Sequence, residues 1–156
     1  MKYVFLLVVT FSVSHLNGQI KGNINTLHNI NYKFFGMTDH YRLYFSRKEI
    51  ACSHNYVSNP ERMTDTTVWL NLKMDIEKWT KIIKYYNDLD SNKIMKTLSP
   101  SNSRDGDGAM YATIEFVTKS SVYTTEYFDH GNPMPEFKPI VDLLLSIPEV
   151  KKFLGE

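Results

Sequence analysis

The run TTVWLNLKMDIEKWTKIIKYYNDL, residues 66–89, changes its apolar period halfway along, and no other feature constrains the fold as much. Up to Met74 the apolar side chains Val68, Leu70, Leu72 and Met74 recur every second residue, with Trp69, Asn71 and Lys73 between them. A period of two puts those two sets on opposite faces of a strand. From Ile76 onward, Trp79, Ile82, Ile83, Tyr86 and Leu89 fall three or four apart, with Lys78, Lys81, Lys84 and Asn87 off that stripe. This is the spacing of a helix with one buried face. Asp75 sits at the junction, where its carboxylate can accept a free backbone N–H of the first helical turn. A strand and a helix that each carry an apolar stripe and follow one another directly must find cover in a layered α+β arrangement.

The same order returns downstream. AMYATIEFVT (109–118) and VYTTEYF (122–128) alternate and are joined by Lys119-Ser120-Ser121, which reads as a hairpin. Phe137, Ile140, Val141, Leu144 and Ile147 then form a second helical stripe, with Pro139 in its first turn, where a missing N–H is harmless. Pro148 ends that helix and opens a last short turn through Phe153 and Leu154. Upstream, DHYRLYFSR (39–47) alternates Tyr41, Leu43 and Phe45 against Arg42, Tyr44 and Ser46, and the strand is read as continuing through Glu49 to Val57. Residues 58–65 form a loop around Pro60, and residues 90–108 form a linker. Residues 19–36, rich in Asn and Gly with weak periodicity, read as a loosely ordered leader holding one short strand. The prediction is an α+β fold in ββαββα order over residues 37–156: an antiparallel sheet of four to five strands with two helices packed on one face.

The N-terminus bears on compartment. Lys2, the apolar run Tyr3–Val13 and the more polar Ser14–Gly18 follow the three-part order of a cleavable signal peptide, with the cut expected after Gly18. The apolar run falls short of the roughly 20 residues needed to span a bilayer. A secreted or periplasmic protein with no stable membrane insertion after cleavage is therefore expected. Of the 18 Lys and Arg only Lys2 would be lost, and none of the 17 acids, so the remaining chain balances at zero net charge with His neutral. Without a basic excess nothing draws the chain to a phosphate backbone, and no nucleic-acid partner is expected. The single cysteine, Cys52, leaves the fold to be held by packing alone. His54 shares a strand face with it, but a lone cysteine is expected to be buried and inert.

Three stretches carry residue types capable of chemistry. Asp105 and Asp107 lie in SRDGDG, where an EF-hand register with Gly108 at its sixth position leaves Ser103 at the first and Ile114 where a bidentate Glu belongs. Turn chemistry before a strand explains them better, and they remain weak metal candidates. Asp129, His130 and Asn132 cluster in DHGNP (129–133). Gly131-Asn132-Pro133 is a turn signature, with Asp129 able to cap it, and neighbouring extended residues such as Asp129 and His130 point apart. The third candidate is the sheet face opposite the helices, which should carry Tyr44, Trp69 and Tyr111, together with either Tyr123 and Tyr127 or Val122 and Glu126. The residues thus point first to a non-catalytic binding module for a protein, peptide or glycan, requiring no cofactor. Trp69, Tyr111, Tyr44, Asp129, His130 and Asn132 are its candidate contacts. The alternative is a small hydrolase or metal-dependent enzyme using His130 with Asp129, Asp105 or Asp107, if the loops flanking the hairpin share one end of the sheet.

Overall fold

A computed structural model describes residues 27–59, 64–89 and 110–156. Four strands run up and down in succession: β1 (Leu27–Phe35), β2 (Asp39–Ser46), β3 (Glu49–Asn59) and β4 (Thr64–Lys73). Helix α1 (Ile76–Asn87) follows, then β5 (Tyr111–Thr118), β6 (Val122–Thr124) and β7 (Phe128–Asp129), and finally α2 (Lys138–Leu145) and α3 (Pro148–Leu154). The spatial order is β4-β3-β2-β1-β5-β6, with β7 also on β5, and every pairing is antiparallel. The α+β class and the antiparallel sheet agree with the sequence. The predicted count of four to five strands and two helices does not: the sheet has seven short and long strands, and three helices lie among the described residues.

Part of the difference lies in β1. The leader assigned to residues 19–36 contains this nine-residue strand, which sits in mid-sheet between β2 and β5. Its alternation, Ile30, Tyr32 and Phe34 against Asn29, Asn31 and Lys33, is masked because the register slips between Leu27 and Asn29 and because Phe35 puts an aromatic on the polar side. The single strand read over 39–57 is two, turned back at Arg47-Lys48 by Ser46, whose hydroxyl accepts from the Lys48 and Glu49 backbone. Much of the predicted 58–65 loop is strand as well, since Asn59 pairs with Thr64.

Cross-strand partners share a face, so register shows where the core lies. Ile30–Phe45–Ile50–Leu72 and Tyr32–Leu43–Cys52–Leu70 are rows of one face, extended through Ile114 and Phe116 of β5. The helices cover this face. Asp75 caps α1 as predicted, accepting from Glu77 and Lys78 N–H, and Trp79, Ile82, Ile83 and Tyr86 are its buried stripe. Tyr86 and, from the approach to α2, Phe137 both meet the ring of Phe116. Pro148 starts α3 rather than a mere turn, and Val150 from that helix enters the same core. The other face bears no helix among the described residues. None of the three helices is long and apolar enough to cross a membrane.

Candidate functional site

The loop at 129–132 turns the chain, as its residues predict. Gly131 takes φ +78°, the Asn132 N–H donates to Asp129 O at 2.9 Å, and the His130 N–H donates to Met110 O at 2.9 Å. The His130 side chain faces the helix-covered layer. Its Nδ1 lies 2.9 Å from Tyr32 Oη, and its ring stacks on Phe34 at 3.8 Å and 12°. Gly131 N–H donates to Tyr32 Oη at 3.4 Å, and the phenol keeps its own proton, which it can donate to a neutral imidazole at Nδ1. Burial pushes the His130 pKa down to about 4 and the Tyr32 phenol well above its ordinary range. A neighbouring carboxylate would act the other way on the histidine. Asp129 is buried, and Asn132 is exposed at the loop's outer side.

Two more rings extend this contact across the sheet. Phe34 stacks on Tyr41 at 4.5 Å, and Tyr41 stacks on His54 at 3.9 Å, so His130, Phe34, Tyr41 and His54 form one ladder through four segments. His54 ends it with Nε2 2.7 Å from Asp39 Oδ1. A hydrogen bond from the Thr38 hydroxyl, with that from His54 behind it, holds the Asp39 carboxyl below its usual range. Cys52, two residues from His54, is buried, and its thiol is raised to about 11 by desolvation. Among the described residues no three His, Cys, Asp or Glu side chains converge. Asp105 and Asp107 lie outside the described residues.

Trp69, Tyr44 and Tyr111 all fall on the face opposite the helices, but in different rows. Trp69, 70% exposed, starts the row Trp69–Ser53–Arg42–Lys33–Thr113. Tyr44 lies in the next row, between Ala51 and Asn31, with Glu115 beyond. Tyr111 lies on the far side, opposite Phe35. Neither predicted pairing from the last hairpin arm survives intact. Val122 takes the open face and Tyr123 packs inward against the core; beyond them Tyr127 is back on the open face, edge-on to Phe35 and Tyr111. Thr125 causes the phase change. Its Oγ1 accepts from Ile114 N–H at 3.1 Å, its own N–H donates to Ile114 O, and its carbonyl accepts from Thr113 Oγ1. A side-chain hydroxyl thus replaces a ladder carbonyl and interrupts the strand between β6 and β7.

The interruption makes a hollow. Thr124, Thr125, Glu126 and Tyr127 stand beside the open face and enclose about 370 Å³ over Lys33, Phe35, His40, Arg42, Thr113 and Glu115. Its floor is charged. Lys33 Nζ pairs with Glu115 Oε1, and Asn31 Nδ2 donates to Oε2 at 3.0 Å. Burial alone would raise the Glu115 pKa, but the bonds from Lys33 and Asn31, with the charges of Lys33 and Arg42, outweigh it and keep the carboxyl ionised. One wall is aromatic: Phe35 stacks on Tyr111 at 5.5 Å and on His40 at 5.9 Å, with Tyr127 edge-on at 5.8 Å. The site can therefore give and take hydrogen bonds at its floor and lay a flat apolar surface against its side. Lys33 and Phe35 escaped the sequence reading because they lie in β1. Arg42, Glu115 and Tyr127 were legible as residues of this face, but only register brings them together.

No protein-family model matches the chain, and no curated protein or solved structure matches it significantly.

Proposed function

We propose that this chain is an exported, non-catalytic binding domain whose ligand lies on the open sheet face, with a hydroxyl-rich molecule such as a glycan as the best fit among the protein, peptide and glycan classes. The hollow carries the reading: about 370 Å³ bounded by an ionised carboxylate, two cations, three threonines and a Phe–Tyr wall. That volume is at the small end of ligand-binding clefts, which suits one or two sugar rings better than a folded partner. Glu115 accepts, and Lys33 and the two-pronged Arg42 guanidinium donate, hydrogen bonds to hydroxyl groups, and Tyr127 and Phe35 offer the flat apolar edge that a sugar face packs against. Trp69 and Tyr44 extend the same surface along the sheet, where a longer chain of sugars would run.

The enzymatic reading needs His130 as a base with an acid orienting it. His130 is instead spent on Tyr32 and Phe34, and burial is the only cause of its lowered pKa. Screening the chain from Gln19 onward on a printed oligosaccharide array tests the proposal. Binding is expected to fall about tenfold in Tyr127→Ala and in Arg42→Ala, both exposed positions where truncation should spare the fold. Binding that both variants retain in full, or an array with no bound sugar, would sink it.

A further inference from the structure

Helix α1 and the strand ends beneath it border a second, larger space, which meets the open face only at its Tyr44–Asn29 end. It measures about 1080 Å³ and is lined, among the described residues, by the start of β1, Tyr44 near the end of β2, the turn between β2 and β3, and one side of α1. Asn29 pairs with Ser46 at this end of the β1–β2 ladder, whereas Phe35 pairs with His40 at the other, beside the hollow. The two sites share no lining residue, and their nearest members on β2, Arg42 and Tyr44, are two positions apart.

The lining is divided by chemistry. Leu27, Trp79 and Ile83, all buried, make an apolar floor, and Ile76, 54% exposed, continues it to the lip. Ile76, Thr80, Ile83 and Asn87 fall three or four apart, so one stripe of α1 faces the space from end to end. Ile76 matters here only because it is contiguous with the buried floor, not because a single exposed isoleucine is unusual. Around this floor stand Arg47, Lys48 and Lys84, and none of the three has an ion-pair partner among the described residues. Glu49 and Asp88 also reach the rim, which leaves one positive charge in excess. Asn87 Oδ1 is buried there with no hydrogen-bond partner among the described residues. A buried amide oxygen without a donor is rare in a finished core.

We infer that this groove binds a monomeric amphipathic anion: an apolar tail over Trp79, Ile83 and Ile76, an anionic head against Arg47, Lys48 and Lys84. A hydrogen-bond donor near the head, such as a hydroxyl or amide N–H, would satisfy Asn87. The charge complementarity selects an anion over a neutral or cationic amphiphile, and the concave apolar floor selects a single acyl chain over a bilayer surface. None of the residues assigned to the tail or the head lines the hollow, so either site can fail alone.

The chain has two tryptophans, Trp69 on the open face and Trp79 in the groove floor. Trp69→Phe therefore leaves Trp79 as the sole reporter. Titration of that variant with sodium dodecanoate below its micelle concentration should give a saturable change in Trp79 emission. Dodecyltrimethylammonium should give none, and adding Arg47→Glu with Lys84→Glu should weaken dodecanoate at least tenfold. Thr80→Phe, at an exposed helix position, should plug the groove and abolish the response while far-ultraviolet circular dichroism stays native. No saturable response to dodecanoate overturns the inference. So do an equal response to the cationic amphiphile, undiminished binding in the charge-reversed or plugged variants, and binding only to phosphatidylglycerol vesicles.

Discussion

His130 draws its meaning from its neighbours rather than from its type. In the native chain its proton is refused: burial holds its pKa at about 4, while an unfolded histidine titrates near 6.5. The unfolded state therefore binds more protons between those values, and stability must rise with pH across that window. The contribution is complete above about pH 6.5, and on the order of 2–3 kcal/mol is lost by about pH 4. Urea midpoints measured from pH 7 to 4 should show this slope, and His130→Gln should flatten it; a flat wild-type profile refutes the assignment. Asp39, an acid rather than a base, shifts stability in the same direction. Its lowered pKa gives stability that is present above the ordinary carboxyl value and lost as pH falls through the lowered one, below the His130 window. Cys52 makes a further prediction at this scale. With its thiol buried and raised to about 11, iodoacetamide at pH 8 should label it only in denaturant. Rapid labelling of the native chain would contradict that placement. Sequence alone shows that His130 sits in a turn. It does not show the stack on Phe34 or the bond to Tyr32, because those partners are 96 and 98 positions away and meet only through sheet register.

Elements defined by a local period were legible, and those defined by a distant partner were not. β4 and α1 follow from alternation and stripe, and Asp75 caps the helix as its position demands. Removing that cap with Asp75→Ala should cost about 1 kcal/mol in urea denaturation, since two N–H groups of the first turn lose their acceptor. The interruption between β6 and β7 was not legible, because nothing in VYTTEYF separates a continuous strand from one that changes phase at Thr125. The buried hydroxyl there does a backbone carbonyl's work. Thr125→Val keeps shape and burial but strands the Ile114 N–H, and should cost about 1–3 kcal/mol. It should also loosen the hollow that Glu126 and Tyr127 enclose. A variant as stable as the parent would show that the hydroxyl is dispensable.

At the scale of the molecule, β1 matters most. It comes first among the described elements yet lies in mid-sheet, flanked by a close neighbour in sequence, β2, and by β5, whose Ile114 and Phe116 pair with Tyr32 and Ile30. The meander β1–β4 can assemble from short hairpins. Its fourth connection has to wait until residues 111–118 are available, which closes a loop of more than seventy residues and carries the entropy of that closure. During that wait the inner edge of β1 is unpaired, and Ile30, Tyr32 and Phe34 have no cover from α2 or Phe137. A ribosome still making the last third of this chain holds a sticky half-sheet, so the interval before β5 docks is when the nascent protein most needs a chaperone.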